Sequence, residues 1–219
     1  MDIYEAIRSR NSVRRFTDRK IEGQVEKDLR EIINLCNEES GLNFQLCLNE
    51  PKAFRSKFFH YGSFENCRNY IALIGPKGRD EDCGYYGQKI VIKAQQLGLN
   101  TCWVGLTYNK FTIPYKLRKG ESIRLVIAIG YGQNQGKPHK SKEMDKLCRL
   151  EGEMPAWFKN GMEMVLLAPS AINQQKFLFT LRDNTVIAEA LPAVYSKVDL
   201  GIAKYHFEIG AGIENFKWG

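Results

Sequence analysis

The stretch GQKIVIKAQQLGLNTCWVG, Gly87–Gly105, predicts a buried helix that ends at a glycine and leads directly into a short strand and an apolar loop. Apolar side chains recur in and just before it at helical spacing and form one stripe: Tyr86, Ile90, Val91, Ala94 and Leu97. Gly98 follows, where helices most often end in the left-handed conformation. Because each fully buried Leu or Ile contributes about 1.5–3 kcal/mol, this face can fix the positions of the segments around it.

A second segment repeats this pattern near the end of the sequence. In VDLGIAKYHFEIGAG, Val198–Gly212, four apolar residues stand at helical spacing before Gly210: Val198, Ile202, Tyr205 and Ile209. Leu29–Leu48 and Gly161–Leu181 also run in parallel, since each predicts an amphipathic helix, a loop of small residues and an alternating strand. These parallels predict two related half-units on one chain, residues 1–150 and 151–219, each arranged around a central helix.

The remaining pattern predicts an α+β or α/β fold around one sheet. YIALIG, 70–75, is continuously apolar and predicts a strand buried on both faces, and SIRLVIAIG, 122–130, predicts a long core strand. Helical segments alternate with these strands and connect them. Residues 51–69 mix charged and aromatic side chains without a period, so we expect irregular structure there.

Composition limits the class of protein. The chain has 219 residues with 43% hydrophobic content, no apolar run of membrane-spanning length, and no apolar centre of a signal peptide in its opening MDIYEAIRSR. We therefore expect a soluble, cytoplasmic protein without a membrane partner. The six cysteines include no Cys-x-x-Cys pair, and His60, His139 and His206 are far apart in sequence, so we expect buried, reduced thiols and no metal site.

The formal net charge of +7 favours anionic ligands, either nucleic acid or a small phosphate-bearing cofactor. Lys and Arg are spread among acidic residues over most of the chain, so we expect no nucleic-acid partner. Two segments are locally basic, RSRNSVRRF at 8–16 and KPHKSK at 137–142. The four arginines around Asn11 and Ser12 suit a phosphate, although this segment by itself is better explained as a solvated basic turn.

Two further segments carry glycine or short polar residues. GYGQNQG, 130–136, resembles a dinucleotide fingerprint, but its third glycine is one residue too far and no tight strand–turn–helix unit follows, so we exclude a Rossmann site. The segment APSAINQQKFLF, 168–179, presents Ser170, Asn173 and Gln175 just before a strand. These side chains either cap the loop or bind a planar polar ligand, because an amide is both donor and acceptor.

Four of these segments together resemble the flavin-dependent nitroreductase family: RSRNSVRRF, GLNTCWVG, APSAINQQKF, and a strand ending in IGYG before a basic KSK loop. The resemblance spans most of the chain and implies a nitroreductase-like mixed sheet flanked by helices. In that family FMN usually lies at a homodimer interface, and one subunit supplies a Pro-Ser-x-x-Asn loop. Here the loop is degraded in the first half, NEESGLN at 37–43, and intact in the second. The resemblance therefore implies a pseudo-dimer within one chain, a monomer that binds one FMN.

The same resemblance implies which residues hold FMN. The phosphate and ribityl contacts would come from Arg10, Asn11, Ser12 and Arg14, with help from Lys140 and Lys142. The ribityl chain or the pyrimidine edge of the ring would be bound by Ser170, Asn173 and Gln175. Val104 and Gly105 match the family loop whose backbone N–H groups face flavin N5. Lys176 and Phe177 stand where the family often has Pro-Trp, which changes the expected substrate pocket.

The implied reaction is a ping-pong hydride transfer from NAD(P)H through flavin N5 to a small-molecule electron acceptor such as a nitroaromatic or a quinone. Because the flavin does the chemistry, we expect no side chain to act as a catalytic acid, base or nucleophile. Two alternatives remain open at this point. One is a family member that uses reduced flavin on a specific substrate, and the other is a non-enzymatic flavin- or anion-binding protein.

Overall fold

A computed structural model describes residues 1–54 and 63–219. Within them the chain forms five α-helices and two four-stranded sheets, so the α+β fold predicted from the sequence is confirmed. The single sheet that we expected is wrong, because the strands divide into two sheets. The helices are α1 Ile3–Ser9, α2 Gly23–Ser40, α3 Asp80–Gln96, α4 Ala156–Val165 and α5 Ser196–Ala211. The strands are β1 Gln45–Cys47, β2 Tyr70–Pro76, β3 Asn100–Val104, β4 Glu121–Gly130, β5 Cys148–Leu150, β6 Phe177–Arg182, β7 Thr185–Ala190 and β8 Lys217–Trp218.

The chain separates into two compact units. Unit 1 contains Met1–Arg79 and Lys89–Pro138, and unit 2 contains Asp80–Gln88 and His139–Gly219. Helix α3 is therefore divided between the units, its first nine residues belonging to unit 2. The division at residue 150 into two related halves stays a prediction.

Unit 1 is built on an antiparallel sheet in the order β1-β2-β4-β3. β2 is buried on both faces, as its continuous apolar run predicts, and β4 is buried from Leu125 to its end. The alternating strand predicted at the end of Leu29–Leu48 is only three residues long, and its buried residue is Cys47 where the alternation of Phe44, Leu46 and Leu48 predicts burial of Leu46. A short strand with few ladder bonds does not impose the two-residue period on its neighbours.

The central helix ends as predicted and begins earlier than predicted. Gly98 follows α3 with a φ of +78°, in the left-handed conformation that glycine adopts without a steric penalty. The helix begins at Asp80, and its first turn carries Asp80, Glu81 and Asp82. Carboxylates there are stabilised by the N-terminal end of the helix dipole, a signal that the apolar period alone does not show.

Unit 2 contains a mixed sheet in the order β5-β6-β7-β8, with parallel pairs at both edges and an antiparallel pair in the centre. Helices α4 and α5 pack against each other through glycine. A Cβ added at Gly161 would lie 2.6 Å from the Phe207 ring, and one added at Gly210 would overlap the carbonyl oxygen of Asn160. Gly210 therefore lies inside α5, and the prediction that it ends the helix is wrong. Gly212, with a φ of +75°, is the residue that follows the helix end.

Two further sequence predictions concern the chain outside these elements. In the interval expected to be irregular, Pro51–Phe54 form a 3-10 turn, and residues 55–62, including His60, lie outside the described residues. Among the helices that the structure describes, none is long and apolar enough to cross a membrane.

Candidate functional site

The arginine-rich segment of unit 1 follows the end of α1 and runs beside β3. Arg10 ends the helix, where its N–H donates to the Ala6 carbonyl at 3.0 Å. Two residues later the chain pairs with Thr101 in parallel, and the Val13 N–H donates to the Thr101 carbonyl at 3.0 Å. The segment is therefore held by backbone bonds to a core strand, and it is not the solvated turn that its composition alone favours.

Arg10 is the unusual residue of this segment, because its guanidinium is buried. The residue is only 4% exposed, and neither Nε nor Nη1 finds a hydrogen-bond partner among the described residues. Burial lowers the pKa of Arg10 from 12.5 to about 10, against a smaller opposing effect from Cys102. A buried charge without a partner is costly, so this arrangement fits an anion that supplies the missing acceptors.

Glycines from the 130–136 turn allow the backbone to approach this segment closely. A Cβ at Gly136 would lie 2.8 Å from both the Asn11 Cβ and the Ser12 carbonyl oxygen, and the residue has a φ of +70°. The Asn11 amide donates to the Gln135 carbonyl at 3.1 Å and to the Ser9 carbonyl at 3.3 Å. The glycine-rich turn thus positions the arginine segment.

Ser12, Arg14 and Arg10 also act on Cys102, a residue that sequence reasoning treated only as a buried thiol. Burial raises the pKa of Cys102, while Arg14, a hydrogen bond from Ser12, and Arg10 oppose that rise. Cys102 lies in β3, two residues before Val104. Val104 is buried at the end of this strand, and Gly105 is half-buried just beyond it. The structure therefore brings the predicted phosphate residues next to the strand that leads to the predicted N5 loop.

The other predicted residues belong to unit 2 and form one hydrogen-bonded loop. The Lys140 carbonyl accepts from the Asn173 amide at 2.9 Å and from the Gln175 amide at 3.1 Å. The Gln175 backbone N–H donates to Ser170 Oγ at 3.0 Å, and its Oε1 accepts from the Lys142 N–H at 2.8 Å. Gln175 is only 3% exposed, so its side chain links the two segments that the sequence predicted separately.

Lys142 differs from Lys140 in what its ammonium contacts. Its Nζ donates to the Gln174 carbonyl at 2.7 Å and to the Gln175 carbonyl at 2.9 Å. Desolvation, together with Lys176, lowers the pKa of Lys142. Lys142 therefore stabilises the loop, whereas no described residue forms a hydrogen bond with the ammonium of Lys140.

A shallow, open pocket of about 380 Å³ lies over this loop. Its lining includes three lysines, one carboxylate and two amides: Lys140, Lys142, Lys146, Glu143, Asn173 and Gln175. The excess of positive charge and the neutral amides suit a polar anion. Lys146 was not predicted, although it lies four residues beyond the KSK motif.

The loop that carries Ser170, Asn173 and Gln175 has a strained backbone. Ile172, Asn173 and Gln175 have φ values of +45°, +56° and +45°. Positive φ is a genuine outlier for a β-branched residue such as Ile172, and such outliers cluster at functional sites. A buried carboxylate that the sequence analysis missed, Asp199 of α5, holds this loop. The available signal was an acidic residue between the apolar residues Val198 and Leu200 of this helix.

Nearly the whole chain is similar to known nitroreductase proteins. A family model described as "Putative TM nitroreductase" matches residues 2–211. The structure of "a putative nitroreductase" from Thermotoga maritima has 23% identity and a TM-score of 0.69, and covers 96% of this chain and 83% of its own. No curated protein matches the chain.

Two smaller proteins share part of the fold. A "putative NAD(P)H:FMN oxidoreductase" from Staphylococcus epidermidis has 16% identity and a TM-score of 0.52 over 66% of this chain and 93% of its own. A "Nitroreductase Family Protein" from Streptococcus pneumoniae has 14% identity and a TM-score of 0.51 over 66% of this chain and 98% of its own. At such identities the similarity shows the fold alone.

Proposed function

The chain belongs to the nitroreductase family, and from that premise we propose that it is an oxidoreductase that binds FMN and uses NAD(P)H to reduce a nitroaromatic or quinone-like acceptor. The observation that carries this proposal is Arg10, a buried guanidinium with two unpartnered nitrogens among the described residues. FMN, when bound, supplies the hydride-accepting chemistry between donor and acceptor, so the chain needs no catalytic acid or base of its own.

The residues of unit 1 fit the phosphate end of FMN. Arg10 offers Nε and Nη1 as donors, and Arg14 is exposed and adds positive charge. Hydrogen bonds between charged partners contribute about 1.5–3 kcal/mol each, and a phosphate would convert the cost of burying Arg10 into binding energy. Ser12 and Asn11 keep this segment in register through their own contacts.

The residues of unit 2 fit polar recognition of the same cofactor. Lys140, Asn173 and Gln175 line one pocket, and Ser170 accepts the hydrogen bond that orients Gln175. We propose that this loop takes the part that a partner subunit plays elsewhere in the family, so that one chain binds one FMN. Lys142 would contribute charge, while its hydrogen bonds hold the loop.

The test begins with the absorption spectrum and FMN titration of the purified protein. We expect one FMN per chain, bleaching by NADPH or NADH, and recovery of the flavin colour when a nitroaromatic or quinone is added. Bound flavin that neither nicotinamide bleaches would instead indicate a flavin-binding protein without this activity. Failure to bind added FMN would end the proposal.

The single-chain arrangement has a separate test. Asn173→Ala should weaken FMN binding although it lies far from Arg10 in sequence, and sedimentation should show that the flavin-loaded species has the mass of one chain. FMN found only in a dimer, or at one FMN per two chains, would contradict the single-chain proposal. It would leave the oxidoreductase proposal intact.

A further inference from the structure

The strained loop, Ser170–Gln175, is not held by burial of its own apolar side chain. Ile172 has a positive φ and is 75% exposed, so hydrophobic contact does not compensate for its strained backbone. Asn173 is exposed as well. A conformation of this kind persists only when the surrounding structure determines it, so other contacts must fix the loop.

Asp199, in the first turn of α5, provides two of those contacts. Its Oδ1 accepts from the Ala171 backbone N–H at 2.9 Å, and its Oδ2 accepts from the Gln174 side-chain amide at 2.8 Å. The same Gln174 amide donates to the Val194 carbonyl at 2.8 Å. The two bonded residues flank Ile172 and Asn173, and Gln174 directly precedes Gln175, so the strained residues are all next to a contact with one helix.

Burial of this carboxylate lowers the stability of the fold, because Asp199 is only 2% exposed and forms no salt bridge with any residue that the structure describes. The groups that bond to it from the loop are both uncharged. Lys197 is exposed on the same helix, and the Lys142 ammonium binds loop carbonyls instead. Burial raises the pKa of Asp199 from 3.8 to about 6, and the bonds from Gln174 and Ala171 oppose this rise. A folded-state pKa above the unfolded value means that the stability of the fold decreases as pH rises from about 4 to 6.

We infer that Asp199 is a positioning residue for the cofactor site, and that it holds Asn173 and Gln175 in their binding conformation at the expense of the stability of the fold. The inference rests on the proposed function, because it assigns these two amides to FMN. A carboxylate that served only the fold would be better replaced by a neutral or apolar side chain. Retention of a charge that costs stability is instead typical of a group that serves a site.

Asp199→Asn tests this inference, because it removes the charge and retains the shape. At pH 8 we expect the variant to melt at the same or a higher temperature than the wild type while its FMN affinity falls about ten-fold, the loss expected for one charge-assisted hydrogen bond. The difference in melting temperature should shrink as pH falls from 7 to 4, since the wild-type carboxylate then becomes protonated. Asp183→Asn is the matched control. It makes the same change at an exposed residue with a φ of +53°, where Asn is tolerated, and should alter neither quantity.

A merely structural role for Asp199 would lower melting temperature and affinity together, and that result, or FMN binding within two-fold of wild type, would overturn the inference. A second measurement requires no FMN. Asp199→Ala should lower the hydrogen-exchange protection of the Ala171 amide at least ten-fold, since this amide loses its acceptor. Unchanged protection would refute the anchoring. Failure of the wild type to bind FMN would instead refute the proposed function, and with it the assignment of the two amides to FMN, and would leave the anchoring of the loop by Asp199 in place.

Discussion

Replacing Arg10 with Met should stabilise the ligand-free protein and weaken its binding of FMN. Met has a similar length and no charge, so it fills the same buried space without a desolvation cost. The two effects have opposite signs because Nε and Nη1 have no partner among the described residues without a ligand and, in our proposal, are paired with it. If Arg10 only supported the fold, its replacement would lower the stability of the protein and would leave the affinity for FMN unchanged.

The magnitude of each effect follows from the structure. Burial lowers the pKa of Arg10 from 12.5 to about 10, a difference of about 2.5, which corresponds to about 3 kcal/mol of cost to the folded state. The group is protonated in both states at neutral pH, so this cost is present at every pH below about 10. It decreases only as pH rises from 10 to 12.5, where the folded protein releases the proton first. Removing the charge should therefore raise the free energy of unfolding by up to about 3 kcal/mol.

The loss of affinity follows from the two unpartnered nitrogens of Arg10. Two charge-assisted hydrogen bonds at about 1.5–3 kcal/mol each correspond to FMN binding that is about 100-fold weaker or worse. Denaturant unfolding of the ligand-free protein at pH 7.5 measures the first effect, and quenching of FMN fluorescence measures the second. Arg8→Met, which removes an exposed guanidinium from the same helix end, controls for the loss of one positive charge.

The reasoning would be refuted if Arg10→Met unfolded more easily than the wild type and bound FMN with unchanged affinity. That pair of results would mean that Arg10 supports the fold and does not bind the cofactor. Arg10→Lys provides a further check, because it keeps the charge and loses the planar fork of donors. We expect it to recover part of the affinity and none of the stability gained with Met.

Two further predictions concern the segments around the candidate site. Gly136→Ala should unfold more easily and bind FMN less tightly than Gly120→Ala: both residues have positive φ, but only the Cβ at 136 would meet Asn11 and Ser12, whereas the one at 120 meets nothing within 4 Å. Equal thermal unfolding of the two variants would contradict the packing role of Gly136. Lys142→Met should lower the hydrogen-exchange protection of residues 170–175, since two carbonyls lose their donor, whereas Lys140→Met should weaken FMN binding and leave that protection unchanged. If Lys140→Met lowered the protection of this loop and Lys142→Met only weakened FMN binding, the roles that we assign to the two lysines would be wrong.

The elements that the sequence predicted well are those in which burial and period agree. β2, β4 and α3 are core segments, and their apolar patterns determine the type of all three and the position of the two strands, although α3 begins earlier than its pattern predicts. The end of α5 was misplaced because a glycine inside a helix and a glycine after a helix look alike in sequence. Gly210 is required by the approach of Asn160, a contact across 50 residues that no local pattern contains. The division into two sheets depends on strand pairing, such as β5 with β6, which short strands of three residues do not specify.

Those features of the candidate site that depend on residue type could be predicted from the sequence, and those that depend on burial could not. By composition, the arginines, the KSK loop and the amides of the 170–175 loop predict an anion and a polar ligand, and this assignment stays a prediction. The sequence did not show that the guanidinium of Arg10 is buried, that Lys142 bonds to the loop, or that Asp199 lies beneath it. Each of these facts depends on which tertiary neighbours remove water from the group.

Buried polar groups elsewhere in the chain show why Arg10 and Asp199 point to a ligand site. His206 and Gln88 are fully buried, yet the imidazole lies 2.8 Å from the Gln88 amide and 2.9 Å from the Met164 carbonyl. Among the described residues, the other buried side-chain atoms without a partner, Tyr70 Oη and Gln95 Oε1, belong to uncharged groups. Among the described residues, Arg10 is thus the charged group with unpartnered buried nitrogens, and Asp199 is a buried carboxylate whose hydrogen-bond donors are uncharged.

These two charged groups make different contributions to binding. Arg10 lacks acceptors, so a phosphate would lower its free energy directly, whereas Asp199 has its hydrogen bonds and lacks only a counter-charge. Only the first cost can be recovered when FMN binds, because no atom of the ligand is needed to complete the contacts of Asp199. Saturating FMN should therefore stabilise the wild type more than Arg10→Met, while leaving the pH dependence that Asp199 gives to unfolding in place. Thermal unfolding between pH 4 and 8, with and without FMN, separates the two contributions, and loss of that pH dependence on FMN binding would show that the ligand acts on Asp199 as well.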